Sequence, residues 1–328
     1  MRRVINQRLG LLLSVSVTII YMATIAPIAA QMPPPVISIA DAYRLGEPIH
    51  DQHGVITSSD GTCLFYRHWP SHGPSNHVVI VLHGIGFESG PYKVVADGLN
   101  PRGIDVYGLD ARGHGLSCGT RGYTGSATQV ADDIAAMVRF SRQQHPASKI
   151  FLLGDSMGCN YALDFAKDHD DQLAGLILLA PAFYVDTAQL INLHSMFLMP
   201  YFLIAHRKPV IDLTGHRLEG SSRDSQFIAQ RRADPLAYKK VSFGYLLDIQ
   251  RLIHNWKRKI APRVQAPILM IQGDKDRVVS KKDCRKFAKI SASRDLQFKT
   301  YPQVSHTTLW DPETPEILEQ VSEWVVRH

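Results

Sequence analysis

Short apolar runs alternate with amphipathic stretches along most of the chain after residue 77. The runs are four to six residues long, and most have the continuous apolar character of strands buried on both faces: Val78–Leu82, Ile104–Leu109, Ile150–Leu153, Leu176–Leu179, Ile268–Gln272 and Leu296–Tyr301. Helical spacing follows most of them, most clearly in Gln129–Gln144 and Lys281–Ile290. The alternation predicts an α/β fold with a mostly parallel central sheet flanked by helices.

Two stretches depart from this alternation. Residues 54–69 have the pattern of an antiparallel hairpin that turns at Asp60-Gly61. Residues 181–260 lack the strand alternation altogether, and we predict that they form a helical cap, or lid, inserted between two neighbouring units of the sheet. The core domain is then expected to comprise residues 50–180 and 261–328.

The first 30 residues have the pattern of an export signal. An apolar segment, Leu9–Ala30, follows three basic residues, which are Arg2, Arg3 and Arg8. Ile28 is not the small residue preferred three positions before a cleavage site after Ala30, and the segment is long enough to span about 30 Å of hydrocarbon. A cleaved signal peptide and a retained membrane anchor therefore both stay open, with residues 31–49 as a linker. Either one predicts an exported protein, periplasmic, secreted or membrane-anchored.

Charge is distributed unevenly along the 328-residue chain, whose formal net charge is +6. The basic excess lies in residues 1–30 and in residues 181–260, which hold 12 Lys and Arg against 6 Asp and Glu, and the remainder is slightly acidic. Because no uniformly basic face results, a nucleic-acid partner is not expected.

The four cysteines are Cys63, Cys118, Cys159 and Cys284. Their even number is compatible with an oxidising compartment, but spacing alone does not rank the three pairings that are open to them. No two of them have the C-x-x-C spacing of a metal site, so no metal is predicted.

The sequence GDSMG, residues 154–158, lies between the predicted strand Ile150–Leu153 and a helix. Gly-x-Ser-x-Gly at a strand-to-helix turn is typical of a nucleophile elbow, in which the glycines permit the tight turn that presents the serine hydroxyl. Ser156 is therefore the predicted nucleophile.

A second glycine-rich loop, HGIG at residues 83–86, follows the strand Val78–Leu82. The expected oxyanion hole consists of the backbone N–H groups of Ile85 and, directly after the serine, Met157. We interpret His83 as a residue that braces this loop, not as the catalytic base.

The acid and the base of a catalytic triad are expected after the serine, in that order. The strand Ile268–Gln272 ends in GDKD, and the strand Leu296–Tyr301 is followed by QVSHTT. Asp276 and His306 are the predicted partners of Ser156. Asp274 is the competing acid, and we interpret it as a residue that caps the turn.

Five motifs together resemble the monoglyceride lipase and lysophospholipase group of the α/β-hydrolase family. They are HGIGFESGPY (83–92), DARGHGLSCGTRG (110–122), GDSMG (154–158), GDKDRVV (273–279) and the Ser-His pair at 305–306. The resemblance covers residues 50–328, including ADPLAY at 233–238, which is similar to an Asp-Pro-Leu of those caps. It implies the α/β-hydrolase fold, the triad Ser156, Asp276 and His306, and the Ile85 and Met157 amides as the oxyanion hole. Arg112 and His114 of the second motif are interpreted as structural.

Two residues depart from the family pattern. Asp155 stands where the family usually has histidine, and Cys159 where it usually has a small residue. The Asp155 carboxylate would either help to hold a cationic histidine or bond the backbone of the turn, and we favour the backbone. Cys159 is expected to be a packing residue.

The apolar segment LINLHSMFLMPYFLIA, residues 190–205, is too short and too interrupted at Pro200 to span a membrane. It would line an acyl-binding wall over the serine, with Phe197 and Phe202 as substrate-binding residues, or lie on a lipid surface. A helical pair packed on the core is the alternative.

The sequence therefore predicts an exported serine hydrolase that cleaves carboxylic esters of monoacyl lipids, monoacylglycerol or lysophospholipid, through an acyl-enzyme and without a cofactor. Another carboxylesterase, an acyltransferase or an aminopeptidase with the same triad stays open. A non-catalytic lipid-binding protein is the alternative of a different class. The expected partner is a small lipid ester, with a membrane surface as a further option, and the oligomeric state is left open.

Overall fold

The computed structural model describes residues 51–184, 207–212, 221–238 and 240–328. Its main sheet has eight strands in the order β1-β2-β4-β3-β5-β6-β9-β10. The strands are β1 (Gln52–Thr57), β2 (Cys63–Trp69), β3 (His77–Leu82), β4 (Ile104–Leu109), β5 (Lys149–Asp155), β6 (Gly175–Leu179), β9 (Ile268–Gly273) and β10 (Leu296–Tyr301). Strand β2 pairs antiparallel with β1 and with β4, and the other five pairings are parallel. The sheet is therefore mostly parallel, as predicted.

Seven α-helices lie in the described part of the chain. They are α1 (Lys93–Leu99), α2 (Ala127–Gln144), α3 (Met157–His169), α4 (Ser225–Ala233), α5 (Phe243–Asn255), α6 (Lys281–Ile290) and α7 (Thr314–Arg327). Among them, α1, α2, α3 and α7 cover the two faces of this sheet. Ser126 begins α2 with a capping box, in which its hydroxyl and the Gln129 side chain bond each other's backbone N–H groups. Of the helices formed by described residues, none is both long and apolar enough to cross a membrane.

Alternate side chains of the central strands enter two separate hydrophobic cores. In β3, Val78 and Ile80 pack into the core on one face, with α2 and α3, while Val79 and Val81 pack into the other, with α1 and α7. Because both faces are covered by helices, these strands need apolar residues at every position. This explains the continuous apolar runs in the sequence and confirms the predicted fold class.

Between β6 and β9 the described residues form α4, α5 and a short antiparallel ribbon of β7 (Pro209–Asp212) and β8 (Lys240–Ser242). We predicted only helices for residues 181–260, so the ribbon is a difference. Its strands have four and three residues, too few for alternation to be detected in the sequence. Phe197 and Phe202 lie outside the described residues. The boundaries of the cap stay a prediction.

One disulfide joins Cys63 at the start of β2 to Cys118 in the loop after β4, with 5.2 Å between the two Cα atoms. The remaining cysteines, Cys159 and Cys284, are buried free thiols. The sequence left this pairing open because the approach of β2 to β4 is a property of the sheet order.

Candidate active site

Ser156 lies at the turn between β5 and α3 with a backbone φ of 50°, in the left-handed region that side chains disfavour. Close packing explains the two glycines around it. A Cβ at Gly158 would lie 2.0 Å from the Leu82 carbonyl oxygen, and one at Gly154 would lie 2.5 Å from the Cys159 nitrogen. The elbow therefore has the predicted strand-to-helix geometry, with the serine at the carboxyl end of β5 and at the amino end of α3.

The loops after β9 and β10 bring an aspartate and a histidine to this serine. His306 Nε2 lies 3.0 Å from Ser156 Oγ, and His306 Nδ1 lies 2.8 Å from Asp276 Oδ2. With the Nδ1–H tautomer, the imidazole donates to Asp276 and accepts from the serine hydroxyl. Asp274, the competing acid, pairs instead with Lys281 at 2.6 Å, and both side chains are about one-third exposed.

The Asp276 carboxylate is held from several sides. Its Oδ1 accepts hydrogen bonds from the backbone N–H groups of Val278 and Val279, and its Oδ2 accepts from the Gln272 amide. Burial alone would raise the pKa of Asp276, but the charge and hydrogen bond of His306, together with these N–H donors, lower it below its ordinary value. The carboxylate is therefore ionised at neutral pH and can stabilise a cationic imidazole.

His306 experiences opposing effects. Burial lowers the pKa of its imidazole, while the charge and hydrogen bond of Asp276 and the charge of Asp155 raise it, and the net result lies above the ordinary value. A raised pKa makes the imidazole a stronger base toward the serine proton.

The loop after β3 lies against the elbow. A Cβ at Gly84 would come within 3.3 Å of Asp155 Oδ2 and 3.5 Å of Ser156 Cβ, so the backbone of this loop packs closely against the elbow. The backbone N–H groups of Ile85 and Met157, the predicted oxyanion donors, belong to this loop and to the first turn of α3. Among the described residues neither N–H donates a hydrogen bond. The first N–H groups of a helix have no acceptor within the helix, which leaves Met157 able to bind an anion.

His83 uses both ring nitrogens on backbone groups. Nδ1 donates to the Gly84 carbonyl at 2.9 Å, and Nε2 accepts from the Ala111 N–H at 3.0 Å. Burial lowers the pKa of this imidazole. These contacts agree with the bracing role that we predicted for His83.

Asp110 joins the first two family motifs, residues 83–92 and 110–122, to each other. The sequence did not reveal this link. Its Oδ1 accepts from the Ser89 N–H at 2.7 Å in the first motif, and its Oδ2 accepts from the Leu116 N–H at 2.8 Å in the second. Arg67 of β2 adds bonds to Glu88 and Ser89, each 2.6 Å long. The resemblance placed these motifs together without giving the reason, which is that they form one hydrogen-bonded unit behind the oxyanion loop.

Arg112 and His114 are structural here, as predicted. The Arg112 guanidinium pairs with Asp133 and Asp60. His114 is buried beside His83 and donates from Nδ1 to the Arg112 carbonyl at 3.1 Å. Burial lowers the pKa of His114 to about 3, so the ring is neutral.

Asp155 contacts the oxyanion loop through a tyrosine, a link that the sequence did not reveal. Tyr92 donates its hydroxyl proton to Asp155 Oδ2 at 2.6 Å and accepts from the Gly84 N–H at 3.0 Å. Both side chains are buried. Cys159, the other departure from the family pattern, points its thiol at the Gly154 carbonyl at 3.1 Å, and burial raises its pKa, which agrees with a packing role.

The part of the chain that the structure describes contains one group of imidazole and carboxylate ligand atoms close enough to hold a metal, namely His68, Asp105 and His145. It lies at the amino ends of the parallel strands, opposite the serine. His68 Nε2 and Asp105 Oδ1 are already hydrogen bonded at 3.1 Å, and Tyr107 binds His145 at 2.9 Å. None of these residues contacts the Ser156 site.

Comparison with known proteins assigns the chain to a protein family. A family model described as "Serine aminopeptidase, S33" matches residues 73–313, most of the chain. The chain belongs to this family. The match includes the oxyanion loop, the elbow and the loops that carry Asp276 and His306.

Relatives that are similar to this chain along most of its length include lipases. The chain is 27% identical over 273 residues to a monoacylglycerol lipase of Mycolicibacterium smegmatis, covering 82% of this chain and 94% of the relative. It is 28% identical over 279 residues to the monoglyceride lipase of Rattus norvegicus, covering 82% and 89%. The chain is thus a serine ester hydrolase of the monoglyceride lipase-like group, the class that the sequence motifs implied.

A solved structure shows the same fold. The crystal structure of a soluble variant of monoglyceride lipase from Saccharomyces cerevisiae, in complex with a substrate analog, aligns with a TM-score of 0.71 over 86% of this chain and 96% of the other, at 22% identity. This likeness confirms the α/β-hydrolase fold of the family.

Proposed function

We propose that this protein hydrolyses carboxylic esters of monoacyl lipids, monoacylglycerol or lysophospholipid, through an acyl-enzyme on Ser156. The observation that carries the proposal is the hydrogen-bonded row Ser156–His306–Asp276 at the carboxyl edge of the sheet, beside two backbone N–H groups, of Ile85 and Met157, that have no acceptor among the described residues. The lipase relatives supply the substrate class.

In the acylation step, Ser156 Oγ attacks the ester carbonyl carbon while His306 Nε2 accepts the hydroxyl proton. Negative charge develops on the carbonyl oxygen, which the N–H groups of Ile85 and Met157 would stabilise. When the intermediate collapses, the ester C–O bond breaks and His306 returns the proton to the leaving glycerol oxygen, which belongs to free glycerol or, for a lysophospholipid, to the glycerophosphodiester. Asp276 orients the imidazole and stabilises its positive charge throughout.

Water completes the cycle by the same steps. His306 removes a proton from water, the hydroxide oxygen attacks the acyl carbon, and the bond to Ser156 Oγ breaks as the serine regains its proton. The products are a free fatty acid and the alcohol. If an alcohol took the place of water, the same site would act as an acyltransferase.

The family description favours one further candidate, hydrolysis of a peptide at its amino terminus. An aminopeptidase needs acidic side chains to bind the substrate's ammonium group. Residues 181–260, the predicted cap, hold 12 basic and only 6 acidic residues, which favours the lipid ester.

The proposal includes export of the enzyme. The apolar segment after Arg2, Arg3 and Arg8 supports it, and so does the Cys63–Cys118 disulfide, because disulfides persist in oxidising compartments. Deletion of residues 1–30 should leave a folded, active protein, since every motif with chemistry begins at residue 83 or later. Activity confined to the cytosolic fraction of expressing cells would contradict export.

A substrate panel tests the proposed function. The protein without residues 1–30 is assayed on monoacylglycerols of increasing chain length, on lysophospholipids and on aminoacyl p-nitroanilides, with a fluorophosphonate probe to label the activated serine. We expect labelling and ester hydrolysis that Ser156→Ala abolishes. Hydrolysis of the anilides alone would favour the aminopeptidase, and a protein that neither labels nor turns over any ester would be a lipid-binding relative.

A further inference from the structure

Asp155 is a buried carboxylate whose contacts extend beyond the elbow that it belongs to. It is 3% exposed, directly precedes Ser156, and receives the Tyr92 hydroxyl on Oδ2. Its Oδ1 is enclosed and has no hydrogen-bond partner among the described residues. An ionised oxygen without a donor in a buried site destabilises the fold unless nearby charge compensates it.

We propose that Asp155 is a positioning residue for ester hydrolysis: its carboxylate fixes the oxyanion loop through Tyr92 and Gly84, and its negative charge adds to that of Asp276 on His306. This inference rests on the proposed function. It replaces the purely structural interpretation of Asp155 that the sequence favoured.

The hydrogen bonds establish the first part. The Tyr92 hydroxyl has one proton, and because it donates that proton to Asp155 at 2.6 Å, its oxygen is oriented to accept from the Gly84 N–H at 3.0 Å. Gly84 immediately precedes Ile85, whose N–H would bind the oxyanion. The Asp155–Tyr92 bond therefore helps to set the orientation of the loop at Gly84, next to the oxyanion donor, and a small shift of that donor weakens oxyanion binding.

The charges establish the second part. Burial raises the pKa of Asp155 to about 6, against the lowering effects of the Tyr92 hydrogen bond and the His306 charge. At neutral pH the carboxylate is therefore ionised, and it contributes to the raised pKa of His306. A buried negative charge close to the imidazole favours the imidazolium that forms as Ser156 attacks.

The titratable and charged groups that face Asp155 come from four elements. Tyr92 from the turn before α1, Cys159 from α3, and Asp276 and His306 from the loops after β9 and β10 interact with it, while Arg231 of α4 interacts with Tyr92. Burial keeps the pKa values of Tyr92 and Cys159 well above their ordinary range, so both stay neutral. Between pH 5 and 8, only His306 and Asp155 of these groups change charge.

Two variants separate the hydrogen bond from the charge. Tyr92→Phe removes the hydroxyl and, with it, a bond that lowers the pKa of Asp155, so this variant is assayed at alkaline pH, where Asp155 stays ionised. We expect kcat on p-nitrophenyl butyrate to fall roughly 10- to 100-fold with KM little changed, because a displaced oxyanion donor weakens binding of the transition state. Asp155→Asn keeps an oxygen for Tyr92 and removes the charge. The acid limb of its kcat/KM profile should lie at a pH roughly 0.3 to 1 unit lower than that of the wild-type protein, because loss of the negative charge lowers the pKa of His306.

Matched controls exclude general effects. Tyr107→Phe removes the hydroxyl of another buried tyrosine, at the opposite edge of the sheet, where that hydroxyl contacts His145. Asp274→Asn removes one acidic charge near the site without contact to His306. Both should match wild type in kcat and in pH profile.

The proposal is overturned if Tyr92→Phe has the same kcat as Tyr107→Phe, or if the acid limb of Asp155→Asn coincides with that of Asp274→Asn. Should Asp155→Asn fail to fold, the kcat of Tyr92→Phe decides. The chromogenic ester makes the outcome independent of lipid specificity. A wild-type protein that hydrolyses neither this ester nor any monoacylglycerol or lysophospholipid overturns the proposed function itself, and this inference with it.

Discussion

Two histidine–aspartate pairs lie at opposite edges of the same sheet. At the carboxyl edge, His306 Nδ1 lies 2.8 Å from Asp276, and at the amino edge His68 Nε2 lies 3.1 Å from Asp105. Both aspartates are buried, and the pKa of each is lowered, Asp276 by His306 and Asp105 by His68, against the opposite effect of burial. The local pairing is therefore nearly the same at the two edges.

The surroundings of the two pairs differ in whether a nucleophile lies next to the histidine. His306 Nε2 lies 3.0 Å from the hydroxyl of Ser156, whose backbone is strained, whereas the His68 ring stacks on Tyr107 with 4.1 Å between ring centres. Asp105 is shared with a second histidine, His145, at 3.8 Å. A histidine–aspartate pair is thus a common way to satisfy buried polar groups. What makes one pair a candidate catalytic unit is its place at the carboxyl ends of parallel strands, next to a helix amino terminus.

The largest expected effect comes from removing the reacting groups of the carboxyl edge. Ser156→Ala or His306→Ala should lower kcat by roughly 10⁴-fold or more, because neither the nucleophile nor the base has a substitute. Circular dichroism should show a retained fold. Substantial ester hydrolysis by folded Ser156→Ala would contradict the assignment of the nucleophile.

The comparison is tested directly by three equivalent substitutions. Asp276→Asn should lower kcat by about 10³- to 10⁴-fold, because the amide favours the wrong imidazole tautomer. Asp274→Asn should stay within about twofold, since its ion pair is surface-exposed. Asp105→Asn at the amino edge should leave kcat/KM nearly unchanged and lower the melting temperature by a few degrees.

If Asp274→Asn proved the more damaging of the two loop substitutions, the geometry of the β9 loop would be wrong. If Asp105→Asn abolished activity in a folded protein, the two edges would not be independent.

The pH dependence of kcat/KM should follow the carboxyl edge alone. His306 must be neutral to accept the serine proton, and its pKa is raised above the ordinary value by Asp276 and Asp155 despite burial. Activity should therefore fall about tenfold for each pH unit below that pKa. The profile is measured on a soluble ester, and it should be the same for a His68→Gln variant. A shift in that variant would show that the two pairs communicate.

The smallest expected effect concerns acyl-chain specificity. If residues 190–205 line the acyl site, each buried CH₂ adds about 0.8 kcal/mol of binding, so specificity should rise with chain length until the pocket is full. Phe202→Ser, and likewise Phe197→Ser, should then penalise laurate monoacylglycerol several-fold more than the butyrate ester. An unchanged ratio of kcat/KM values would mean that the segment packs on the core.

Sequence patterns predicted the elements that depend on local spacing. The strands of the core, the elbow and the positions of Asp276 and His306 after their own strands follow from apolar runs and turn residues. Contacts between distant residues could not be predicted in this way. Tyr92 is 63 residues from Asp155, and Cys63 is 55 from Cys118, and both pairs meet only because of the strand order of the sheet.

The backbone of Ser156 has a further consequence, for the evolution of the protein. Serine in a left-handed conformation costs of order 1 to 3 kcal/mol, and glycine, which adopts φ of 50° freely, would relieve much of it. Ser156→Gly should therefore unfold at higher urea concentration than wild type while losing all hydrolysis. Stability alone would thus favour glycine at position 156, and only a need for turnover would favour serine at this turn.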